Sequence, residues 1–252
     1  MINVLLSGCS GRMGQVVTRL ASTMNNIKIT AGYDVMELPQ SEYPVFKSLD
    51  KLTKKVDTII DFSNPEALEK ILDFAVDTKV PTVIATTGLS AIHEKMLNDA
   101  SSKIPVFYSA NMSLGINLLI NLAKKAAKLL EGNFDIEILE KHHNQKLDAP
   151  SGTALAIADS VNDALDEKCE YVYDRHSRRK KRARNEIGIS AIRGGTIVGE
   201  HSVIFAGCDE VIEISHSAMS RDIFALGAIK AALFLKGRKP GLYSMNDLLK
   251  ID

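Results

Sequence analysis

Residues 2–14 read INVLLSGCSGRMG, and this stretch decides the fold. Residues 2–7 form an apolar run that predicts a strand. Glycines at 8, 11 and 14 follow directly and give the pattern G-x-x-G-x-x-G, a variant of the dinucleotide-binding turn. Glycine permits the tight turn and lets the backbone approach a pyrophosphate, which then lies on the N-terminus of the following helix.

The residues after the glycine turn extend this unit. A helical stretch runs to about Met24, a second strand covers Ile27 to Tyr33, and Asp34 ends it. Asp34 lies about 20 residues beyond Gly14, the spacing of an acid that binds a ribose hydroxyl in dinucleotide-binding folds. A glycine pattern alone is weak evidence, but strand, turn, helix, strand and acid in this order predict nucleotide binding.

Strands and helices alternate through the first 110 residues. Apolar patterns predict strands at 2–7, 28–34, 57–61, 81–85 and 104–108, and helices at 12–24, 65–77 and 90–100. This alternation predicts an α/β domain with a Rossmann-like, doubly wound parallel sheet. Ligands of such sheets bind beyond the carboxyl ends of the strands, where this chain has DFS at 61–63, TTG at 86–88 and SANM at 109–112. These residues either line a ligand pocket or are ordinary loop and cap residues.

The pattern changes after residue 114. Apolar spacing predicts a long helix at 114–130, a strand at 134–143, a helix at 153–166, strands near 187–193, 196–206 and 210–217, and a helix at 221–235. The last strands alternate as in an antiparallel sheet with one covered face. The sequence therefore predicts a second, α+β domain with a mixed, open sheet.

Residues 140–155, EKHHNQKLDAPSGTAL, carry the strongest chemical pattern. His142, His143 and Lys146 stand between a predicted strand and a helix that opens at Pro150-Ser151-Gly152-Thr153. A helix N-terminus attracts anions, histidine titrates near neutral pH and lysine is a cation, so the segment favours binding a carboxylate and moving a proton. Structural explanations remain open, because adjacent histidines on a strand face opposite ways and Ser-Gly-Thr before a helix is often only a cap.

Composition excludes several classes of function. The 252 residues suit one large or two small domains, and Lys+Arg and Asp+Glu are equal at 31 each, which argues against nucleic-acid or membrane partners. No apolar run is long enough to span a bilayer, and residues 1–20 lack the features of a signal peptide. Cys9, Cys169 and Cys208 are scattered, which predicts a reducing, cytoplasmic location and leaves zinc binding as a weak alternative. We expect no metal site.

A basic run at 175–184 needs its own explanation. It holds seven Arg or Lys residues in ten and has no interleaved aromatic residue. A solvated loop is the favoured interpretation, and a nucleic-acid patch or a device that steers a dianionic substrate are the alternatives.

The chain resembles the dihydrodipicolinate reductase family of nicotinamide-dependent enzymes of lysine and diaminopimelate synthesis. The segments that carry the resemblance are GCSGRMG at 8–14, DFSNPE at 61–66, ATTG at 85–88, SANMSLGIN at 109–117, EKHHNQKLDAPSGTAL at 140–155 and IRGGTIVGEHSVIFAG at 192–207. They occur in order over nearly the whole chain, and the HHNQKLDAPSGTA block is the most specific of them.

The resemblance implies a reaction and a domain plan. The reaction is reduction of 4-hydroxy-tetrahydrodipicolinate to tetrahydrodipicolinate, with hydride transfer from NAD(P)H and loss of water. The plan is a discontinuous dinucleotide-binding domain at 1–110 and 220–252 and a substrate-binding and oligomerisation domain at 111–219. Members of the family are usually tetramers, so we expect a homotetramer.

The resemblance also assigns roles to residues. His142 is expected to be the general acid, and Lys146 to stabilise developing charge and donate or relay a proton. His143, Gly152 and Thr153 are expected to bind the dicarboxylate substrate. The residues expected to bind the cofactor are Gly8, Ser10, Gly11, Arg12, Met13, Asp34, Ala85, Thr86, Thr87, Ser109, Ala110, Asn111 and Met112.

The choice of cofactor depends on the residues near Asp34. Its carboxylate repels the 2′-phosphate of NADPH, and Val35 follows where relatives that accept NADPH often have an arginine. Arg12 could still reach a 2′-phosphate from the glycine turn. We therefore expect NADH to be preferred and NADPH to be accepted.

Two rival functions remain. Another two-domain nicotinamide enzyme, such as an amino-acid dehydrogenase, would not need the 140–155 block. A nucleotide sensor without turnover would not need His142, Lys146 and Thr153 together.

Overall fold

The structure is a computed structural model that describes residues 1–36 and 41–250. The chain forms two compact units, one of Met1–Leu114 with Arg221–Asp252 and one of Gly115–Ser220. Residues 251 and 252, the end of the predicted dinucleotide domain, lie outside the described residues. The assignment of one unit to the dinucleotide and the other to the substrate stays a prediction at this stage.

The elements follow in chain order. The strands are β1 (Ile2–Ser7), β2 (Ile27–Tyr33), β3 (Val45–Phe46), β4 (Thr58–Asp61), β5 (Thr82–Ile84), β6 (Pro105–Tyr108), β7 (Asp135–His142), β8 (Glu170–Val172), β9 (Glu186–Arg193), β10 (Gly199–Ala206), β11 (Val211–Ala218) and β12 (Gly241–Tyr243). The helices are α1 (Arg12–Ser22), α2 (Leu68–Thr78), α3 (Ala91–Ser101), α4 (Leu114–Leu130), α5 (Gly152–Ala164), α6 (Asp222–Leu235) and α7 (Met245–Leu249). Single 3₁₀ turns lie at Leu49–Lys51 and Pro65–Ala67.

The first unit is built on a parallel sheet. Its strand order is β12-β6-β5-β4-β1-β2-β3, and each neighbouring pair is parallel. Strands β1, β4 and β5 are mostly apolar, and all of their residues are buried except the half-buried Asn3, as expected of strands covered on both faces. Two apolar clusters form the core of this unit, one containing much of α1 and α6 and the other containing much of α2 and α3. The predicted doubly wound parallel sheet is confirmed.

Local chemistry explains one difference from the predicted helix at 65–77. The segment begins as a 3₁₀ turn, because the Asn64 side chain accepts a hydrogen bond from the Ala67 amide at 3.2 Å and Pro65 occupies the first position. The α-helix proper runs from Leu68 to Thr78, and the following residue, Lys79, adopts the left-handed conformation at φ 55°.

The second unit has a mixed sheet with the order β11-β10-β7-β9-β8. Strand β10 is antiparallel to both β7 and β11, whereas β7–β9 and β8–β9 are parallel. Helices α4 and α5 pack on one face, in a cluster that includes Leu119, Ile138, Ile157, Ile189 and Phe205. The predicted α+β unit with a mixed sheet is confirmed.

The last strands differ from the expected alternation at the edge. Strand β10 alternates between buried and half-buried residues, but β11 is exposed or half-buried along its whole length. The reason is its position, because within the described part of the chain β11 pairs with β10 alone and lies at the sheet edge. None of the helices in the described residues is long and apolar enough to cross a membrane.

Candidate functional site

The carboxyl ends of the parallel strands in the first unit carry most of the predicted cofactor residues. Strand β1 leads into Gly8, β2 into Asp34, β5 into Ala85 and β6 into Ser109. Because β1, β2, β4, β5 and β6 are parallel neighbours, these loops follow the same edge of one sheet. This edge is where doubly wound sheets bind ligands.

The glycine turn is packed so closely that only glycine fits. Gly8 has φ +72°, and a Cβ there would lie 2.6 Å from the carbonyl oxygen of Phe62. A Cβ at Gly14 would collide with the carbonyl oxygen of Gly8. Gly8 and Gly14 thus bring the turn against the loop after β4 and against the start of α1.

The start of α1 is suited to a phosphate. Gly11 is the residue before the helix, and among the described residues no side chain caps this end. Gly11 and Arg12 are exposed, and Met13 is half-buried against the core. The N–H groups at this helix N-terminus are uncapped, and Gly11 places no side chain in front of them. They therefore fit the pyrophosphate of a dinucleotide.

Asp34 is fixed by the glycine turn itself. Its Oδ2 accepts a hydrogen bond from the Ser10 amide at 2.9 Å, and its Oδ1 accepts one from the Met36 amide at 3.0 Å. The Ser10 hydroxyl donates to the carbonyl oxygen of Met36 at 3.3 Å. The carboxylate is therefore held beside the predicted pyrophosphate turn, with lone pairs left for a ribose hydroxyl.

The loops after β4 and β5 are joined by a buried carboxyl. Thr86 donates its hydroxyl hydrogen to Asp61 Oδ2 at 2.6 Å, and Asp61 is fully buried. Burial raises the pKa of Asp61, against the opposing effect of hydrogen bonds from Ser63 and Thr86. Thr86 is thereby committed to the loop structure, while Thr87 is exposed and Ala85 is buried.

The loop after β6 closes on itself. Ser109 donates its hydroxyl hydrogen to the carbonyl oxygen of Asn111 at 2.9 Å, and Asn111 Oδ1 accepts from the Ser113 amide at 2.8 Å. The Met112 side chain is buried in the core of the first unit, and only Ala110 among the four predicted residues is fully exposed. Met112 thus has a clear packing role.

In the second unit, the alternation of β7 places two ionisable side chains at the end of its buried face. Residues 136, 138, 140 and 142 of β7 are buried in turn, and they change from two isoleucines to Glu140 and His142. Glu140 Oε2 accepts a hydrogen bond from His142 Nδ1 at 2.6 Å. Lys141 lies on the opposite face and pairs with Glu200 at 2.9 Å.

Glu140 is the centre of a saturated hydrogen-bond cluster. Arg193 donates from Nη1 to Oε2 and from Nη2 to Oε1, both at 2.7 Å, and the Ser151 amide donates to Oε1 at 2.9 Å. Burial would raise the pKa of Glu140, but the hydrogen bonds from Arg193, His142 and Ser151 outweigh it and hold the pKa below its usual value. The carboxylate is thus ionised and fixed.

The N-terminus of α5 lies next to this cluster. Ser151 caps it by accepting from the Ala154 amide at 3.2 Å, and Gly152 leaves open space, with no described atom within 4 Å of a Cβ built there. Lys146 pairs with Asp148 at 2.8 Å. The pKa of Asp148 is lowered by Lys146 and, to a smaller extent, by the Gly152 amide. A carboxylate already lies at this end of the helix, as its dipole favours.

Two residues of β10 complete the surroundings of His142. The His201 ring lies edge-on to the His142 ring, with centroids 5.2 Å apart, and its Nε2 is 3.2 Å from the Ser151 hydroxyl. Burial and the nearby His142 lower the pKa of His201 to about 4. A Cβ at Gly199 would lie 3.0 Å from His142 Nε2, so the glycine leaves room at that nitrogen.

These contacts place His142, Lys146 and Gly152 near the start of α5, and their membership of a single site stays a prediction. Thr153 follows in the first turn, and His143 lies half-buried beyond the end of β7. Four members of the cluster were not predicted from the sequence: Glu140, Arg193, Ser151 and His201. The sequence did carry a signal for Glu140. It occupies one of the alternate, buried positions of β7, where the pattern otherwise requires an apolar residue.

The basic run at 175–184 is mostly solvated. Arg175 pairs with Glu137 and Glu186, and Arg182 pairs with Asp135 and Glu137. The exposed cations are Arg175, Arg178, Arg179, Lys180, Lys181 and Arg184, of which Lys180 also lies 3.7 Å from Glu186. Six of the seven cations are therefore exposed, as the solvated-loop interpretation expects, and Arg182 is the half-buried exception. Ion pairs of Arg175 and Arg182 anchor the loop to β7 and β9. Among the described residues, no group of three or more His, Cys, Asp or Glu could hold a metal ion.

Comparison with protein families covers both units. The profile described as "Dihydrodipicolinate reductase, N-terminus" matches residues 2–112, and the one described as "Dihydrodipicolinate reductase, C-terminus" matches residues 115–249.

Individual proteins agree with the profiles. The chain is 56% identical over 250 residues to a 4-hydroxy-tetrahydrodipicolinate reductase of Caldanaerobacter subterraneus, covering 99% of each chain. It is 47% identical over 249 residues to the protein of that name from Clostridium tetani, covering 99% of this chain and 97% of the other. Among solved structures, the dipicolinate-bound dihydrodipicolinate reductase of Paenisporosarcina sp. TG-14 matches with a TM-score of 0.83 and 25% identity, over 97% of each chain.

Proposed function

This chain belongs to the dihydrodipicolinate reductase family, and from that membership and the geometry above we propose how its residues carry out the reaction. The reaction is the NAD(P)H-dependent reduction of 4-hydroxy-tetrahydrodipicolinate to tetrahydrodipicolinate, with loss of water, in lysine and diaminopimelate synthesis. A reduced nicotinamide dinucleotide, when bound, supplies the hydride. The protein has to hold that cofactor and a dicarboxylate, and to deliver a proton.

The first unit is the dinucleotide-binding domain in this proposal. Gly8, Gly11 and Gly14 let the backbone approach the pyrophosphate, and the uncapped start of α1 stabilises its charge. The remaining residues proposed to contact the cofactor are Ser10, Arg12, Met13, Asp34, Ala85, Thr86, Thr87, Ser109, Ala110, Asn111 and Met112. Thr86 and Met112 would contribute through their backbone, since Thr86 donates to Asp61 and the Met112 side chain lies in the core.

Asp34 supports a preference for NADH. The amides of Ser10 and Met36 fix its carboxylate, so it cannot turn away from a 2′-phosphate without losing two hydrogen bonds. The exposed Arg12 in the same turn would allow NADPH to bind, at lower affinity. Asp34→Asn should raise kcat/KM for NADPH relative to NADH, with Asp50→Asn as a remote, exposed control. An unchanged ratio would mean that Asp34 does not discriminate.

The second unit is the substrate domain in this proposal. His142 is the general acid, Lys146 stabilises the charge that develops on the ring, and His143 contacts the substrate. Gly152 and Thr153 hold one substrate carboxylate through backbone N–H groups and the Thr hydroxyl. The single observation that carries the assignment is the short contact of His142 with Glu140, made directly beside the N-terminus of α5.

The test is a coupled assay. The preceding condensation of pyruvate with aspartate semialdehyde generates the substrate in place, and NADH and NADPH oxidation are followed in parallel by absorbance. His142→Gln should lower kcat by about 10²–10⁴, the range for loss of a general acid. His176→Gln, in the exposed loop after β8, is the matched control. Wild-type kcat in His142→Gln would exclude the acid role.

Lys146 is tested in the same assay. Lys146→Ala should lower kcat and raise KM, because both the developing charge and a substrate carboxylate lose a cation. Lys141→Ala is the control, since Lys141 lies on the opposite face of β7 and pairs with Glu200. If Lys146→Ala changes neither constant, the proposed role is wrong.

We also propose a homotetramer formed through the second unit. Leu139, Ile192, Ile204 and Val211 lie on the sheet face opposite α4 and α5, and Ile192 and Val211 are 46% and 64% exposed. Packing this face against another copy would cover those side chains. Sedimentation analysis should give a tetramer for the wild type and smaller species for Ile192→Glu. A monomeric wild type would exclude the assembly.

A further inference from the structure

We propose that Glu140 is a positioning residue that fixes the tautomer of His142, so that Nε2 is the nitrogen from which the proton leaves. This inference rests on the proposed role of His142 as the general acid. It adds that the role of His142 depends on Glu140, which is itself held in place by Arg193.

The geometry of β7 brings Glu140 and His142 together. Glu140 and His142 are two residues apart on a strand, so both side chains lie on the same face. Glu140 Oε2 and His142 Nδ1 are 2.6 Å apart, and the Glu140 side chain is completely buried. A carboxylate accepts but cannot donate, so Nδ1 must carry a hydrogen.

The Glu140 carboxylate is held in place from all sides. Oε2 accepts from His142 and Arg193, and Oε1 accepts from Arg193 and the Ser151 amide. The two oxygens offer about four lone-pair sites, and all are used. Arg193 is itself anchored, because its Nη2 also donates to the carbonyl oxygen of Asp148 at 2.6 Å. Rotation of Glu140 would break several hydrogen bonds in a buried environment.

The other ring nitrogen of His142, Nε2, is the one left open. Gly199 lies next to His142 Nε2, and its missing side chain leaves that atom accessible. As the general acid, His142 begins as an imidazolium with hydrogens on both nitrogens. The Nε2–H bond breaks, its electron pair stays on Nε2, and the proton bonds to the electron pair created on the ring by hydride addition. The neutral imidazole keeps its Nδ1–H on Glu140 and is recharged by a proton from water.

Glu140→Gln disrupts this arrangement in either orientation of the amide. If the amide nitrogen faces His142, its N–H groups point at Nδ1 and at Arg193, so Nδ1 has to accept and the neutral ring carries its hydrogen on Nε2. If the amide is flipped, its N–H groups point at the Ser151 amide and at Arg193 instead. Either way the imidazolium loses its anionic partner, and a neutral imidazole is too weak an acid to replace it.

The kinetic test is a double-mutant cycle in the coupled assay. Glu140→Gln should lower kcat on the order of 10²-fold, as expected when the partner that orients a functional histidine is lost. Glu140→Gln combined with His142→Gln should be no slower than His142→Gln alone, because Glu140 acts through His142. Glu200→Gln, on the neighbouring strand, is the control. A double variant slower by the product of the two single effects would overturn the proposal.

The pH profile separates positioning from mere structural support. The groups around His142 are Glu140 on its own strand, Arg193 opposite it on β9 and His201 on β10, and Lys146 lies in the loop that follows β7 and acts on His201. In Glu140→Gln the pH above which kcat declines should move lower, because the imidazolium is no longer stabilised by an anion. A lower kcat with an unshifted profile would contradict the proposal.

A direct measurement keeps the proposal testable if Glu140→Gln does not fold. Nitrogen-15 spectra of histidine-labelled wild-type protein, assigned by comparison with His142→Gln, should show the neutral His142 ring with its hydrogen on Nδ1. A hydrogen on Nε2 would overturn the proposal. The two failures are distinct, because wild-type kcat in His142→Gln removes the acid role, whereas the tautomer still reports on Glu140.

Discussion

His201 should make the second unit lose stability in mild acid. Burial and the neighbouring His142 lower the pKa of His201 from 6.5 to about 4, while Glu140 opposes this effect and His216 and Lys146 add to it. The side chain is 4% exposed, so solvent screens it little. Between the two pKa values the unfolded chain binds a proton at this residue and the folded chain does not. The free energy of unfolding therefore falls as the pH is lowered through this window.

The magnitude follows from proton linkage. A full shift from 6.5 to about 4 corresponds to about 3 kcal/mol, since one pKa unit is worth about 1.4 kcal/mol. Most of this free energy of unfolding is lost by about pH 5. A comparison of about pH 7.5 with about pH 5 should therefore show a loss of about 2 kcal/mol from this residue alone. Carboxylates with lowered pKa values, such as Glu140, lose their contribution only at still lower pH.

The assay is urea denaturation of the wild type and of His201→Gln at both pH values, followed by circular dichroism. Glutamine does not titrate, and its amide can donate to the Ser151 hydroxyl, so the variant should lose about 2 kcal/mol less than the wild type between the two conditions. His176→Gln, which removes an exposed histidine, should behave as the wild type. The same pH dependence in His201→Gln and in the wild type would refute the reasoning.

Three further substitutions test close packing and capping. Gly14→Ala should abolish NADH binding in a titration, because the new Cβ collides with the Gly8 carbonyl; unchanged affinity would mean that the turn is not the pyrophosphate site. Gly199→Ala places a methyl group 3.0 Å from His142 Nε2 and should lower kcat about tenfold or more in the coupled assay. A wild-type kcat would show that the reaction does not use this side of the His142 ring. Ser151→Ala removes a helix cap and a hydrogen bond to a buried histidine, so urea denaturation should show a loss of about 2 kcal/mol, and a loss below about 0.5 kcal/mol would contradict this.

Elements with a clear local pattern could be predicted from the sequence. Strand β1 and helix α4 have the predicted bounds, because one is a short apolar run ended by glycine and the other has apolar residues at helical spacing over 17 residues. Strand β12 and helix α7 were missed, since three and five residues are too few to show a period. Strand β12 forms because it pairs with β6 across a long stretch of chain, which no local pattern reveals.

The candidate site shows the same division. His142 and Lys146 could be picked out because their residue types carry chemistry wherever they occur. Glu140 was not picked out, because an acid within a strand normally faces solvent. Its place in the alternation of β7 marks it as buried, but the sequence does not reveal its partner Arg193, which is 53 residues away. Only the pairing of β7 with β9, which sets His142 opposite Arg193 in register, brings these groups together.

The saturated carboxylate of Glu140 also constrains how this chain can change over time. A neutral residue at 140 would leave the Arg193 cation without its partner, and a neutral residue at 193 would strand a completely buried anion. Breaking one half of a buried pair costs about 3–5 kcal/mol, a large part of the stability of an ordinary domain. Drift at either position is therefore blocked unless both residues change together, and we expect the two positions to be inherited as a pair.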